Sequence, residues 1–114
     1  MPKLKRDAVK YVRDKAKARY EKGTSCEICG ETELLDFHHY YSLTPLLNQW
    51  LTKNKHNPEY IQSLRDDFIE EHSAELYDDT ATLCHTHHLK LHSIYGKDPA
   101  LVTAKKQMRW VEIQ

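Results

Sequence analysis

The sequence predicts an α+β fold that is mostly helical, and three observations carry that reading. Apolar residues recur at helical spacing in five segments of the 114-residue chain. Two short stretches, residues 34–41 and 80–83, are aromatic or β-branched enough for strands. All four prolines stand where an element begins. The length suits one domain, 1–114, with a modest core.

Residues 1–22 form a basic helix in this reading. Leu4, Ala8, Val12, Ala16 and Tyr20 recur every four residues, with Tyr11 beside them. Lys5, Arg6, Lys10, Arg13, Lys17 and Arg19 take much of the remaining surface, and Gly23 is the expected stop. Residues 24–42 hold a knuckle and the first strand. Ser25-Cys-Glu-Ile-Cys-Gly30 resembles a zinc knuckle, a tight turn that presents two thiolates, with Gly30 permitting the reversal. The strand after it carries His38 and His39.

Residues 43–77 form a helical insertion. Thr44 is expected to cap a helix that starts at Pro45 and buries Leu46, Leu47, Trp50 and Leu51. Asn57-Pro58 starts the next helix, with Ile61, Leu64, Phe68 and Leu76 on one face and Ile69 adjoining. Glu59, Asp66, Asp67, Glu70 and Glu71 face outward in this reading, for solubility and not for metal. Residues 79–96 give the second strand and a helix from His85 or His87 to Tyr95, stopped by Gly96. Asp98-Pro99 is expected to open a last helix over residues 98–114, through Leu101, Val102, Met108, Trp110 and Val111. His56 and His72 match no pattern and read as surface residues, and Tyr40, Tyr41 and Tyr95 read as packing.

Formal net charge is zero, so no global field points to nucleic acid. The distribution is uneven. Residues 1–22 carry nine basic and three acidic side chains, and residues 50–80 three basic and eight acidic. A basic end suits an anionic partner, and a solvated helix face explains the charge equally well. The three cysteines argue against a disulfide framework, and C-x-x-C spacing favours metal in a reducing compartment. No stretch approaches the roughly 20 apolar residues of a membrane span, and no apolar core follows the first lysines as in a secretory signal. A soluble, cytoplasmic protein is expected.

One cysteine and four histidines crowd into residues 84–92. Cys84 and His87 form a C-x-x-H pair, while His88 and His92 stand one turn apart on a helix. Adjacent helical residues diverge by about 100°, so His87 and His88 serve different metal centres. Cys26, Cys29, Cys84 and His87 make a Cys₃His set of two matched half-sites. Four protein ligands leave no position for water, which marks a structural zinc. His85 is the alternative fourth ligand. Such an ion staples segments more than fifty residues apart, a large contribution in a small core.

The remaining pattern resembles the HNH endonuclease family, in particular small phage-encoded or homing-type members. The resemblance covers residues 24–97. It lies in a strand ending in a histidine pair, a second strand, and a helix reading His87-His88-Leu-Lys-Leu-His92 after Leu83-Cys84. His87 stands where the family usually has cysteine, and the helical insertion between the strands is a second departure. The resemblance implies a ββα-metal (His-Me finger) core and a metal-dependent DNA endonuclease, nicking or cutting both strands. It makes His39 the general base. His38, His88 and His92 become ligands of one catalytic divalent cation, magnesium, manganese, nickel or zinc. It places Asp79 at the motif position that is normally asparagine and orients the base through loop hydrogen bonds. Aspartate accepts such bonds but donates no amide proton.

The chemistry suits these residue types. Hydrolysis of a phosphodiester needs an activated water, charge neutralisation at phosphorus and a stabilised leaving oxygen. Histidine titrates near neutrality, so His39 suits proton abstraction from water. The implied products are 5′-phosphate and 3′-hydroxyl ends. Lys5, Arg6, Lys10 and Arg13 on the first helix and Lys90 are the candidate phosphate contacts. No separate recognition domain is apparent, so the expectation is limited specificity, or specificity borrowed from a partner protein or a homodimer. In a phage-encoded member the site of action is the host cytoplasm. The alternative is a non-catalytic zinc-binding module for DNA or protein on the same fold.

Overall fold

Two short strands bracket a helical excursion, and the sheet they form carries the chemistry-bearing residues. The computed structural model describes residues 8–114, so Lys5, Arg6 and the expected helix start at Pro2 lie outside the described residues. In order, the chain forms α1 (Ala8–Ala16), β1 (Leu35–His39), α2 (Leu43–Lys53), α3 (Ile61–Glu71), β2 (Thr80–Cys84), α4 (His85–Tyr95) and α5 (Ala104–Ile113). Single 3₁₀ turns follow α1 and precede α3 and α5, and a π-helical turn spans Ala74–Asp78. The expected mostly helical α+β class holds. None of the described helices is long and apolar enough to cross a membrane.

The strands pair antiparallel, with Leu35 opposite Cys84, His38 opposite Ala81 and His39 opposite Thr80. Alternation sends Asp36 and His38 to one face and Phe37 and His39 to the other. The knuckle is tied to the same sheet. Glu27 N–H donates to Thr82 O at 2.9 Å, and Thr82 N–H donates to Glu27 Oε2 at 2.7 Å. Gly30, at φ 79°, closes the turn by donating to Cys26 O at 2.9 Å.

Two apolar clusters result. Val12, Ala16, Leu47, Ile61, Phe68 and Leu76 join α1, α2 and α3. Tyr40, Ala81, Leu83, Leu91, Ala104 and Val111 join the sheet, α4 and α5. Among the described residues the second cluster is the smaller, with eight buried residues to the first one's eleven, and Cys26 and Cys84 are among the eight.

Several boundaries differ from expectation, each for a local reason. α2 starts at Leu43, because Leu46 N–H already donates to Ser42 O at 3.1 Å. Pro45 is tolerated there because first-turn N–H groups have no helical partner anyway. Gly23 does not end α1. The chain turns extended at Tyr20, whose ring lies 4.7 Å from both Phe37 and His39. Asp98-Pro99 opens no helix. Pro99 is buried as a packing residue, Val102 is exposed, and α5 starts at Ala104 after a turn closed by Thr103 on Ala100 O. His56 and His72 are half-buried beside Trp50 at 4.8 and 6.2 Å, not surface residues.

Gly96 does stop α4, at φ 94° and ψ 173°, with its N–H on His92 O at 2.8 Å. That backbone region is almost closed to a residue with a Cβ. Gly96→Ala is expected to cost about 1–3 kcal/mol of stability, read as a lower urea midpoint with an unchanged slope. No change in midpoint would contradict the strained cap.

Candidate functional site

The first turn of α4 enters a sulfur cluster. Cys29 Sγ lies 3.8 Å from Cys84 Sγ, and Cys84 Sγ lies 3.2 Å from His87 Nδ1. The ligand atoms of Cys26, Cys29, Cys84 and His87 all fall within 4.8 Å of one another. Tetrahedral bonds of about 2.3 Å place two sulfurs about 3.8 Å apart, so the set fits zinc. Burial opposes ionisation of Cys26, but N–H groups of Cys29, Cys84 and Ile28 outweigh it and bring the thiol down to about 7. A thiolate at neutral pH is the form that binds metal. His85 stands apart from this cluster, because its Nδ1 is turned to Asp36 Oδ2 at 3.0 Å.

The next turn of α4 faces β1 and builds a second cluster from His38, His88 and His92. Each ring has one nitrogen tied to an acceptor. His38 Nε2–H donates to Gln107 Oε1 at 2.7 Å, His88 Nδ1–H to Asp36 Oδ2 at 3.1 Å, and His92 Nδ1–H to Gly96 O at 2.6 Å. The Gln107 amide is oriented by its own network. Its Nε2 donates to Thr103 Oγ1 at 3.0 Å and Tyr40 O at 3.3 Å, which leaves Oε1 for His38. These acceptors fix the tautomers, and the remaining nitrogens converge. His38 Nδ1 lies 3.1 Å from His88 Nε2, which lies 3.0 Å from His92 Nε2.

Burial drives the pKa of His38 down to about 4, and it also lowers that of His88. Both rings are therefore neutral near pH 7, with lone pairs directed inward. Lone pairs at this separation repel unless a cation lies between them. Three imidazoles, each backed by a hydrogen-bond acceptor, are a donor set suited to a divalent metal with open positions.

His39, on the other strand face, lines a cavity of about 320 Å³ together with His38, His88, His92, Arg13 and Asp98. His39 Nε2–H donates to Leu76 O at 3.0 Å, so Nδ1 is its basic nitrogen. Burial lowers the His39 pKa, the Leu76 carbonyl opposes that, and Arg13 adds to the lowering. The π-helical turn is what brings the Leu76 carbonyl to the ring.

Asp79 contributes through its backbone. Its N–H donates to Ala74 O at 2.8 Å and its carbonyl accepts from Tyr40 N–H at 3.3 Å. Its side chain makes no hydrogen bond among the described residues. Lys10 is exposed and pairs with Asp14 at 2.9 Å. Lys90 is exposed and lines neither cavity beside the histidines, since it stands about 200° around α4 from His88 and from His92.

Sequence reasoning missed Asp36, Gln107, and the carbonyls of Gly96 and Leu76. Asp36 had a signal, two residues before His38 on the same strand face. Gln107 had none, since only the tertiary packing of α5 brings it there. Gln107→Leu is expected to weaken metal binding at the histidine site about 10- to 100-fold and to leave metal binding at the sulfur cluster unchanged. Isothermal titration with manganese reads the difference, and equal affinities for the two proteins would remove Gln107 from the site.

A family model described as the nicking endonuclease family, a phage family, matches residues 1–114. No solved structure matches the chain.

Proposed function

The chain belongs to the nicking endonuclease family, and from that membership we propose that it hydrolyses a single DNA phosphodiester bond at the histidine site. His38, His88 and His92 hold one divalent cation there, and Cys26, Cys29, Cys84 and His87 hold a structural zinc. The observation that carries this reading is the convergence of three imidazole nitrogens whose opposite ring nitrogens are each tied to an acceptor. The order β1, β2, α4, with the histidine pair on β1 and two histidines on α4, supports a ββα-metal core of the HNH type.

A cation bound at the three histidines supplies charge neutralisation at the phosphate and at the departing oxygen. The chain's own residues do the rest. His39 Nδ1 takes the proton of the attacking water, while Leu76 O keeps the ring from turning. Arg13, in the same cavity, meets a phosphate oxygen through its guanidinium. The backbone of Asp79 fixes the turn before β2, so position 79 acts without its side-chain carboxylate. The structural zinc sets the start of α4 and with it His88 and His92. In its phage setting the substrate is DNA in the host cytoplasm.

Incubation of supercoiled plasmid with magnesium, manganese, nickel or zinc tests this. The expected product is open-circular DNA that ligase reseals, because the nick has 5′-phosphate and 3′-hydroxyl ends. Tight DNA binding without nicking under any of these cations would leave a non-catalytic zinc module instead.

A further inference from the structure

A second cavity lies against the same histidines. Leu89, Ser93 and Lys97 line a groove of about 730 Å³, and Phe37, His88 and His92 line both it and the cavity that holds His39. Its volume falls within the roughly 300–1,000 Å³ typical of small-molecule sites. His85, Leu89 and Ser93 follow one another at four-residue spacing along α4, beside the His88–His92 row. Leu89 is 57% exposed and forms the apolar edge of the groove. The groove's one carboxylate, Asp36, is taken up by His85 and His88. Lys97 forms no ion pair among the described residues, so the groove holds an apolar wall and an available cation.

We infer that this groove binds the nucleotide on the 5′ side of the nick, the one that keeps the 3′-hydroxyl. The inference rests on the proposed hydrolysis and deepens it. In that step the water oxygen bonds to phosphorus, its proton passes to His39 Nδ1, the P–O3′ bond breaks, and the 3′-oxygen takes a proton from solvent. Attack and departure lie in line across phosphorus. His39 stands in one cavity, so the leaving oxygen and its sugar emerge on the other side of the histidine wall, into the groove. Leu89, which lines the groove and not the His39 cavity, supplies an apolar surface for sugar and base. Lys97 meets the next phosphate upstream.

Duplexes spanning a mapped nick site, with one abasic residue on either side of the nicked phosphate, test this. Binding is read by fluorescence anisotropy without added divalent cation, and nicking is read on the same duplexes. For wild type, the abasic residue on the 5′ side is expected to raise Kd and slow nicking about tenfold, and that on the 3′ side less than about twofold. Leu89→Asp is expected to bind the intact duplex about tenfold more weakly and to lose this discrimination. Its zinc content and its manganese affinity stay at wild-type values. Ser93→Trp, which fills the groove without adding charge, is expected to match it. An equal or larger effect on the 3′ side, or variants that still discriminate, would overturn the groove assignment alone. A wild-type chain that nicks no DNA would defeat the nuclease reading and the groove with it.

Discussion

His39→Ala is expected to slow plasmid nicking by roughly 100- to 10,000-fold, the range for loss of a positioned general base. Its metal content and thermal midpoint change little. The separation of effects follows from placement. His39 lies on the Phe37 face of β1 and bonds only to Leu76 O, whereas the three converging nitrogens belong to His38, His88 and His92. Its loss removes edge contacts with Tyr20 at 4.7 Å and Phe37 at 5.1 Å but no converging nitrogen and no buried ion pair. Nicking kinetics beside a metal count check this, and full activity would take the base role away from His39.

Cys29→Ser has the largest expected effect on stability. Cys29 is exposed, and an exposed cysteine without a metal changes stability by only about 0.5 kcal/mol on such a substitution. In the structure its sulfur faces Cys84 and completes the Cys₃His set. Structural zinc contributes about 10–16 kcal/mol to the folding of small metal domains. The second apolar cluster is too small to replace it. The variant is therefore expected to lose its zinc and more than about 4 kcal/mol, a large part of the roughly 5–15 kcal/mol that stabilises a domain. Guanidinium unfolding with zinc analysis gives the answer, and a change under about 0.5 kcal/mol would mean that no metal joins these sulfurs.

Much of this arrangement was legible from local chemistry. C-x-x-C, C-x-x-H and histidines one turn apart are short-range patterns, and the folded chain brings together the same two sets. Divergence of adjacent helical side chains separates His87 from His88, as α4 shows. What was not legible depends on distant packing. Gln107 reaches His38 across 69 residues, and the carbonyl of Leu76 reaches His39 only because the chain takes a π-helical turn. Helix starts misjudged at Pro45 and Pro99 share one cause. Proline tolerates a first turn but also an extended or packed position, so it marks a boundary without fixing which side the helix is on.

The proposed hydrolysis takes place at His38, His88 and His92, apart from the cluster of Cys26, Cys29, Cys84 and His87. The direct measurement is the nicking rate against added manganese, for wild type and His88→Ala, each carrying one zinc. Wild type is expected to saturate with manganese, and His88→Ala to bind no second ion and nick at least about 100-fold more slowly. Equal nicking by His88→Ala, with one zinc and no second metal, would contradict it.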